Sequence, residues 1–143
     1  MSIVIDASVA LAWSFGDERT EKIAAVLDRV SENGALVPAL WRLEVANSLR
    51  SALRRGRITG QLRDETISDL LVLGIECDTD TNMYAWDETL RLADRHDLTP
   101  YDACYLELAQ RMRLPLATLD RALHTAAVSI GVQTADTGVS DRR

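Results

Sequence analysis

Four acidic residues of this 143-residue chain stand where a shared chemistry is possible: Asp6, Glu44, Asp102 and Asp120. Asp6 closes the run "IVID" and Asp120 closes "LATLD", so each follows a short apolar segment. Glu44 and Asp102 each lie near the start of an amphipathic helical stretch. Taken singly, each has a local explanation. Asp6 and Asp120 suit helix N-caps, Asp102 suits the acid of a capping box opened by Thr99, and Glu44 suits a solvated surface. Taken together they have another. Carboxylates converging in one cleft repel one another and raise their pKa values, and a divalent cation relieves that conflict. Oxygen-only ligands select a hard ion, Mg2+ or also Mn2+, so all four are expected metal ligands. Such an ion activates bound water as a nucleophile, and one of the acids can take the water's proton.

Asp102 poses the question most sharply. In "LTPYDACYLELA", Thr99 and Pro100 read as a helix start, and the wheel puts Asp102 on the core side with Tyr105, Leu106 and Ala109. A charge buried there needs a partner. Tyr101, Tyr105 and Leu108 are expected to pack this helix. Small polar residues accompany the acids: Ser8 two positions after Asp6, Thr118 two before Asp120, and Asn47 one turn beyond Glu44. They are expected to hold the carboxylates by hydrogen bonds around an ion.

Strands and helices must alternate to place these residues. Ile3 to Ile5 and Leu116 to Leu119 read as strands, "ALVP" as another, "IEC" as a weaker one, and Val132 to Thr134 as the last. Helical spacing marks Ala7 to Trp13, Glu18 to Glu32, Trp41 to Arg55, Leu62 to Leu73, a stretch bearing Met83, Trp86, Leu90 and Ala93, the Asp102 helix, and Arg121 to Val128. Trp41, Val45, Leu49, Ala52 and Leu53 share one helix face; Glu44, Asn47, Ser51 and Arg55 share the other. The pattern predicts a three-layer α/β/α fold with a central, mostly parallel sheet. Residues 1–135 form one domain and 136–143 a loose tail. Sites in such sheets lie beyond the strands' carboxyl ends, where Asp6 and Asp120 fall.

Composition narrows the classes. A hydrophobic fraction of 47% and a charged fraction of 27% suit a globular domain. No apolar run is long enough to span a bilayer, and "MSIVIDAS" lacks a signal peptide's basic start, so a cytoplasmic protein without a membrane partner is expected. Cys77, Cys104, His96 and His124 lack zinc spacing. The net charge of −6 argues against a nucleic-acid partner on average. Arginines nevertheless crowd at Arg50, Arg54, Arg55 and Arg57, and the first three are candidate contacts to nucleic-acid phosphates. Lys22 is the sole lysine, badly placed for a dehalogenase-like phosphatase or a response-regulator receiver, both of which need a late one.

"VIDASVALAW", "VPALWRLEVANSLR", "LTPYDACYLELA" and "LATLDRAL" together resemble, in order and approximate spacing, the PIN-domain nucleases, and among them the VapC-type toxins of toxin–antitoxin pairs. The likeness covers nearly the whole chain. It implies a PIN-like fold and a Mg2+-dependent endoribonuclease whose acids match Asp6, Glu44, Asp102 and Asp120, with Ser8, Thr118 and Asn47 beside them. It also implies a homodimer, a transfer-RNA or ribosomal-RNA substrate, and a cognate antitoxin that inserts a segment into the cleft. Some members carry a further acid, which leaves Asp136 and the number of ions open. The alternative is a catalytically silent PIN-like module that binds RNA or protein.

Overall fold

The computed structural model describes residues 2–139. Its first strand, β1 (Val4–Ile5), is wholly buried, as an apolar β-branched run covered on both faces should be. Asp6 then caps α1 (Ala7–Ala12), and Thr20 caps α2 (Glu21–Asn33). Gly34 ends α2 at φ +78°, where a side chain would meet the carbonyl oxygen of Gly74 at 2.8 Å. Glycine is therefore required there twice over.

The chain continues through β2 (Ala35–Val37), α3 (Trp41–Arg54), α4 (Gly60–Leu71) and β3 (Ile75–Cys77). It then forms α5 (Thr81–Tyr84), α6 (Glu88–His96), α7 (Pro100–Met112), β4 (Leu116–Ala117) and α8 (Arg121–Ser129). The strands make a parallel sheet in the order β3-β2-β1-β4, flanked by helices, so the fold is α/β as expected. The chain steps from β1 to β2 to β3 in one direction and then crosses back to β4 on the other side of β1, so the strand order reverses between β1 and β4. A crevice opens beyond the carboxyl ends at such a reversal.

Several expectations are corrected. The strand expected at Val132 to Thr134 reduces to a single bridge, Leu116 to Thr134. The stretch from Met83 to Ala93 is two helices, α5 and α6, and Trp86 between them is 92% exposed rather than in the core. Apolar spacing there crosses a turn, so the periodicity does not mark one face. Tyr101 is exposed too, while Tyr105 and Leu108 are buried. The tail does not loosen at residue 136: Thr137 is buried and its hydroxyl donates to the Thr118 carbonyl oxygen at 2.7 Å. The end of the tail, 140–143, lies outside the described residues.

Candidate active site

β1 and β4 run side by side, with Val4 opposite Leu116 and Ile5 opposite Ala117. Their next polar residues, Asp6 and Thr118, therefore emerge together. Both are buried. Two hydroxyls tie the strand ends into one unit. Ser8 Oγ donates to Asp6 Oδ1 at 2.6 Å and accepts from Leu119 N–H at 3.1 Å. Thr118 Oγ1 donates to Asp6 Oδ2 and accepts from Asp120 N–H at 2.9 Å. Asp6 also caps α1 through Val9 N–H, and Asp120 caps α8 through Leu123 N–H at 3.1 Å. The capping explanations are thus real, and they fix the positions of both carboxylates.

Glu44 enters from the first turn of α3, half-buried, and accepts a hydrogen bond from the hydroxyl of Tyr105 on α7. Asp102 lies in the first turn of α7. There Thr99 caps the helix by accepting from Asp102 N–H at 3.1 Å. Tyr105 is the residue that sequence reasoning assigned to packing alone. Its position three residues after Asp102, with a polar tip on an otherwise apolar face, is the available signal.

The four acids sense one another. Burial raises the Asp6 carboxyl above its usual range; hydrogen bonds from Ser8, Thr118 and Val9 oppose that, and Asp120 adds to it. Burial likewise raises Glu44, with the Tyr105 bond opposing and Asp102 and Asp6 adding. Asp102 is raised by burial and then by Asp120. The ring of repulsion therefore runs through all four residues.

That mutual repulsion is the test of whether a hard divalent cation fits. The donors are all oxygen, their charges oppose one another, and a bound cation would reverse the sign of that interaction. Among the described residues no group of three or more acidic, cysteine or histidine side chains is placed to hold a metal ion as it stands. Both oxygens of Asp6 are engaged by the hydroxyls of Ser8 and Thr118. The set fits a cation in kind and charge.

Other candidates fall elsewhere. Asn47 is exposed one turn along α3 and bonds none of the four acids; with Arg50, Arg54 and Arg55 it lines a neighbouring cleft. Asp136 is exposed and paired to Lys22 at 3.2 Å. No helix among the described residues is long and apolar enough to cross a membrane.

A parallel sheet with acids gathered beyond β1 and β4 and on the helices α3 and α7 defines the class. The chain belongs to the PIN domain family, whose profile matches residues 3–128. It is similar to Ribonuclease VapC3 of Pyrobaculum aerophilum, with 34% identity over 127 residues, 86% of this chain and 92% of that protein. Among solved structures, PAE2754 from Pyrobaculum aerophilum matches with a TM-score of 0.64 and 23% identity, covering 96% of this chain and 91% of that one. FitAcB from Neisseria gonorrhoeae matches with a TM-score of 0.62 and 18% identity, covering 95% and 98%. These two likenesses concern the fold.

Proposed function

We propose that the chain is a divalent-cation-dependent endoribonuclease, the toxin of a toxin–antitoxin pair, with Asp6, Glu44, Asp102 and Asp120 as its catalytic residues. The observation that carries this reading is geometric: Asp6 and Asp120 leave the adjacent ends of β1 and β4, joined through Thr118, while Glu44 and Asp102 come from helices linked by the Tyr105–Glu44 bond. Its support from relatives is the 34% identity to a protein named a ribonuclease.

Mg2+, or Mn2+ in its place, would be held by the four acids directly or through water; when bound it supplies water activation and offsets charge gathering on the phosphoryl group. The chain's own residues do the rest. Ser8 and Thr118 fix the orientation of Asp6, and Tyr105 that of Glu44. One of the outer acids, Asp102 or Asp120, takes the proton of the attacking water. Arg50, Arg54 and Arg55 contact RNA phosphates. The substrate is a transfer RNA or a ribosomal-RNA loop in the cytoplasm, the chain forms a homodimer, and a cognate antitoxin closes the cleft.

The test is incubation of the purified chain with transfer and ribosomal RNA in Mg2+, Mn2+ or excess EDTA. Discrete cleavage with either ion and none in EDTA is expected. Undiminished cleavage in EDTA overturns the ion's role. RNA retained uncut under every condition favours the silent binding module.

A further inference from the structure

A groove leads away from the acids along α3. Two adjoining clefts of about 380 and 350 Å3 share Asn47, Ser51 and Arg55. The first begins at Ser8, beside Asp6, and passes over Phe15; the second is walled by Arg50 and Arg54. Residues three and four apart share a helix face, so Glu44, Asn47, Ser51 and Arg55 form one line from the acids outward. At the helical rise, the eleven steps from Glu44 to Arg55 span roughly 16 Å.

The charges along this line are arranged unequally. Arg57 is held by Asp17 and Glu18, and Arg63 by Asp64. Arg50, Arg54 and Arg55 have no carboxylate partner among the described residues, although the chain carries a net charge of −6. Arg55 instead donates Nη2 to Ser51 Oγ at 2.9 Å, which steadies the guanidinium and leaves its other donors free. No acid lines the outer cleft. In the inner cleft the one acid, Glu18, is paired with Arg57, a cation it shares with Asp17.

What the groove lacks is equally specific. The aromatic ring it contains, Phe15, is 6% exposed and covered by the Arg57 guanidinium, 4.8 Å from the ring centroid. Nucleobases gain binding energy by stacking on exposed rings, and neither cleft offers one. Hydroxyl, amide and guanidinium donors suit phosphate oxygens.

We propose that Asn47, Ser51 and Arg55 form a phosphate track that holds an RNA backbone beyond the acids and reads no base. The idea rests on the nuclease reading for its purpose, but its test does not require cleavage. It also gives Asn47 a role that its distance from the acids' hydrogen bonds leaves open: the amide donates to substrate.

The experiment is fluorescence anisotropy of the full-length chain with labelled uridine and adenosine 12-mers, in EDTA and at varied salt. EDTA separates phosphate contact from ion support. Arg55→Gln is expected to weaken binding about tenfold for both oligomers and to reduce the slope of log affinity against log salt by about 0.7. Asn47→Ala is expected to lose about threefold. Arg95→Gln, an exposed arginine on α6 away from the groove, should match the native chain. Unchanged affinity in either groove variant, loss confined to one oligomer, or no binding by the native chain at low salt overturns the track. A native chain that binds with these variant effects yet never cuts RNA in Mg2+ overturns the nuclease reading alone. One that cuts RNA while Arg55→Gln binds as tightly as the native chain overturns the track alone.

Discussion

The hydroxyl of Tyr105, on α7, donates to Oε1 of Glu44, on α3, and joins the two helices that bring acids to the strand ends. Tyr105 is buried and far above its usual pKa, chiefly through burial and then the Glu44 bond, so it stays a donor at every working pH. Tyr105→Phe keeps the ring and removes only this bond. A hydrogen bond to a charged group contributes about 2 kcal/mol, and the freed Glu44 would lose its orientation. We expect kcat to fall about tenfold and half-maximal activity to need more Mg2+, with the far-ultraviolet spectrum unchanged. Native activity at native Mg2+ concentrations would remove Tyr105 from the site.

Thr118 serves two acids at once, donating to Asp6 and accepting from Asp120 N–H. Thr118→Val is nearly isosteric and leaves both without that anchor, at a cost of about 2 kcal/mol in the buried site. Cleavage should drop by more than about tenfold. Thr118→Ser restores the hydroxyl and should restore most of the activity. Equal losses in both variants would mean that the methyl group, not the hydroxyl, matters.

Repulsion in the cleft has a consequence for stability. Asp102 is held above its usual pKa by burial and by Asp120. A group raised on folding contributes stability that is full below its unfolded value and lost as pH rises through its folded one. At neutral pH its charge therefore opposes folding when no cation is bound. Asp102→Asn should raise the melting temperature in EDTA by roughly 2 °C while abolishing cleavage. Added Mg2+ should stabilise the native chain more than the variant. A variant that melts lower than the native chain in EDTA would contradict this account of the cleft.

The opposite sign holds at the other end of α7. Arg111 bridges Glu107 at 2.7 Å and Asp78 at 2.6 Å, with its guanidinium 4.5 Å from the Tyr84 ring centroid. Burial alone would raise Asp78, but hydrogen bonds from Arg111 and Thr81 hold it below the usual carboxylate range. Its contribution is present above the unfolded pKa of about 3.9 and fades as pH falls through the folded value. Asp78→Asn should lower stability by about 2 kcal/mol at pH 7, measured by urea unfolding, and the difference should shrink toward pH 3. A constant difference across that range would assign the loss to packing.

The parts of the site that the sequence disclosed are those carried by short-range pattern. Asp6 and Asp120 are readable because a buried parallel strand is a continuous apolar run, and a polar residue ending it must leave the sheet at its carboxyl edge. Glu44 is readable because the polar and apolar faces of α3 separate cleanly. Periodicity assigns Tyr105 only to packing, since its hydroxyl matters through Glu44, 61 positions away, and a helical face does not name what it touches. Met83, Trp86 and Leu90 show the same limit: their apolar spacing continues across the turn between α5 and α6, and all three are exposed. Asp136 is exposed and pairs with Lys22, a pairing that no local pattern marks. Helical spacing places Asn47 on one face with Glu44, Ser51 and Arg55, and in the structure it lines a groove with Ser51 and Arg55.

The central claim is that the carboxylate of Asp6, fixed between Ser8 and Thr118, takes part in cutting RNA. Sequencing of RNA ends after brief induction of the native chain and of its Asp6→Asn variant tests it most directly. The account predicts discrete new ends with the native chain and their disappearance with the variant, at equal levels of folded protein. The same ends at the same abundance from both would contradict it.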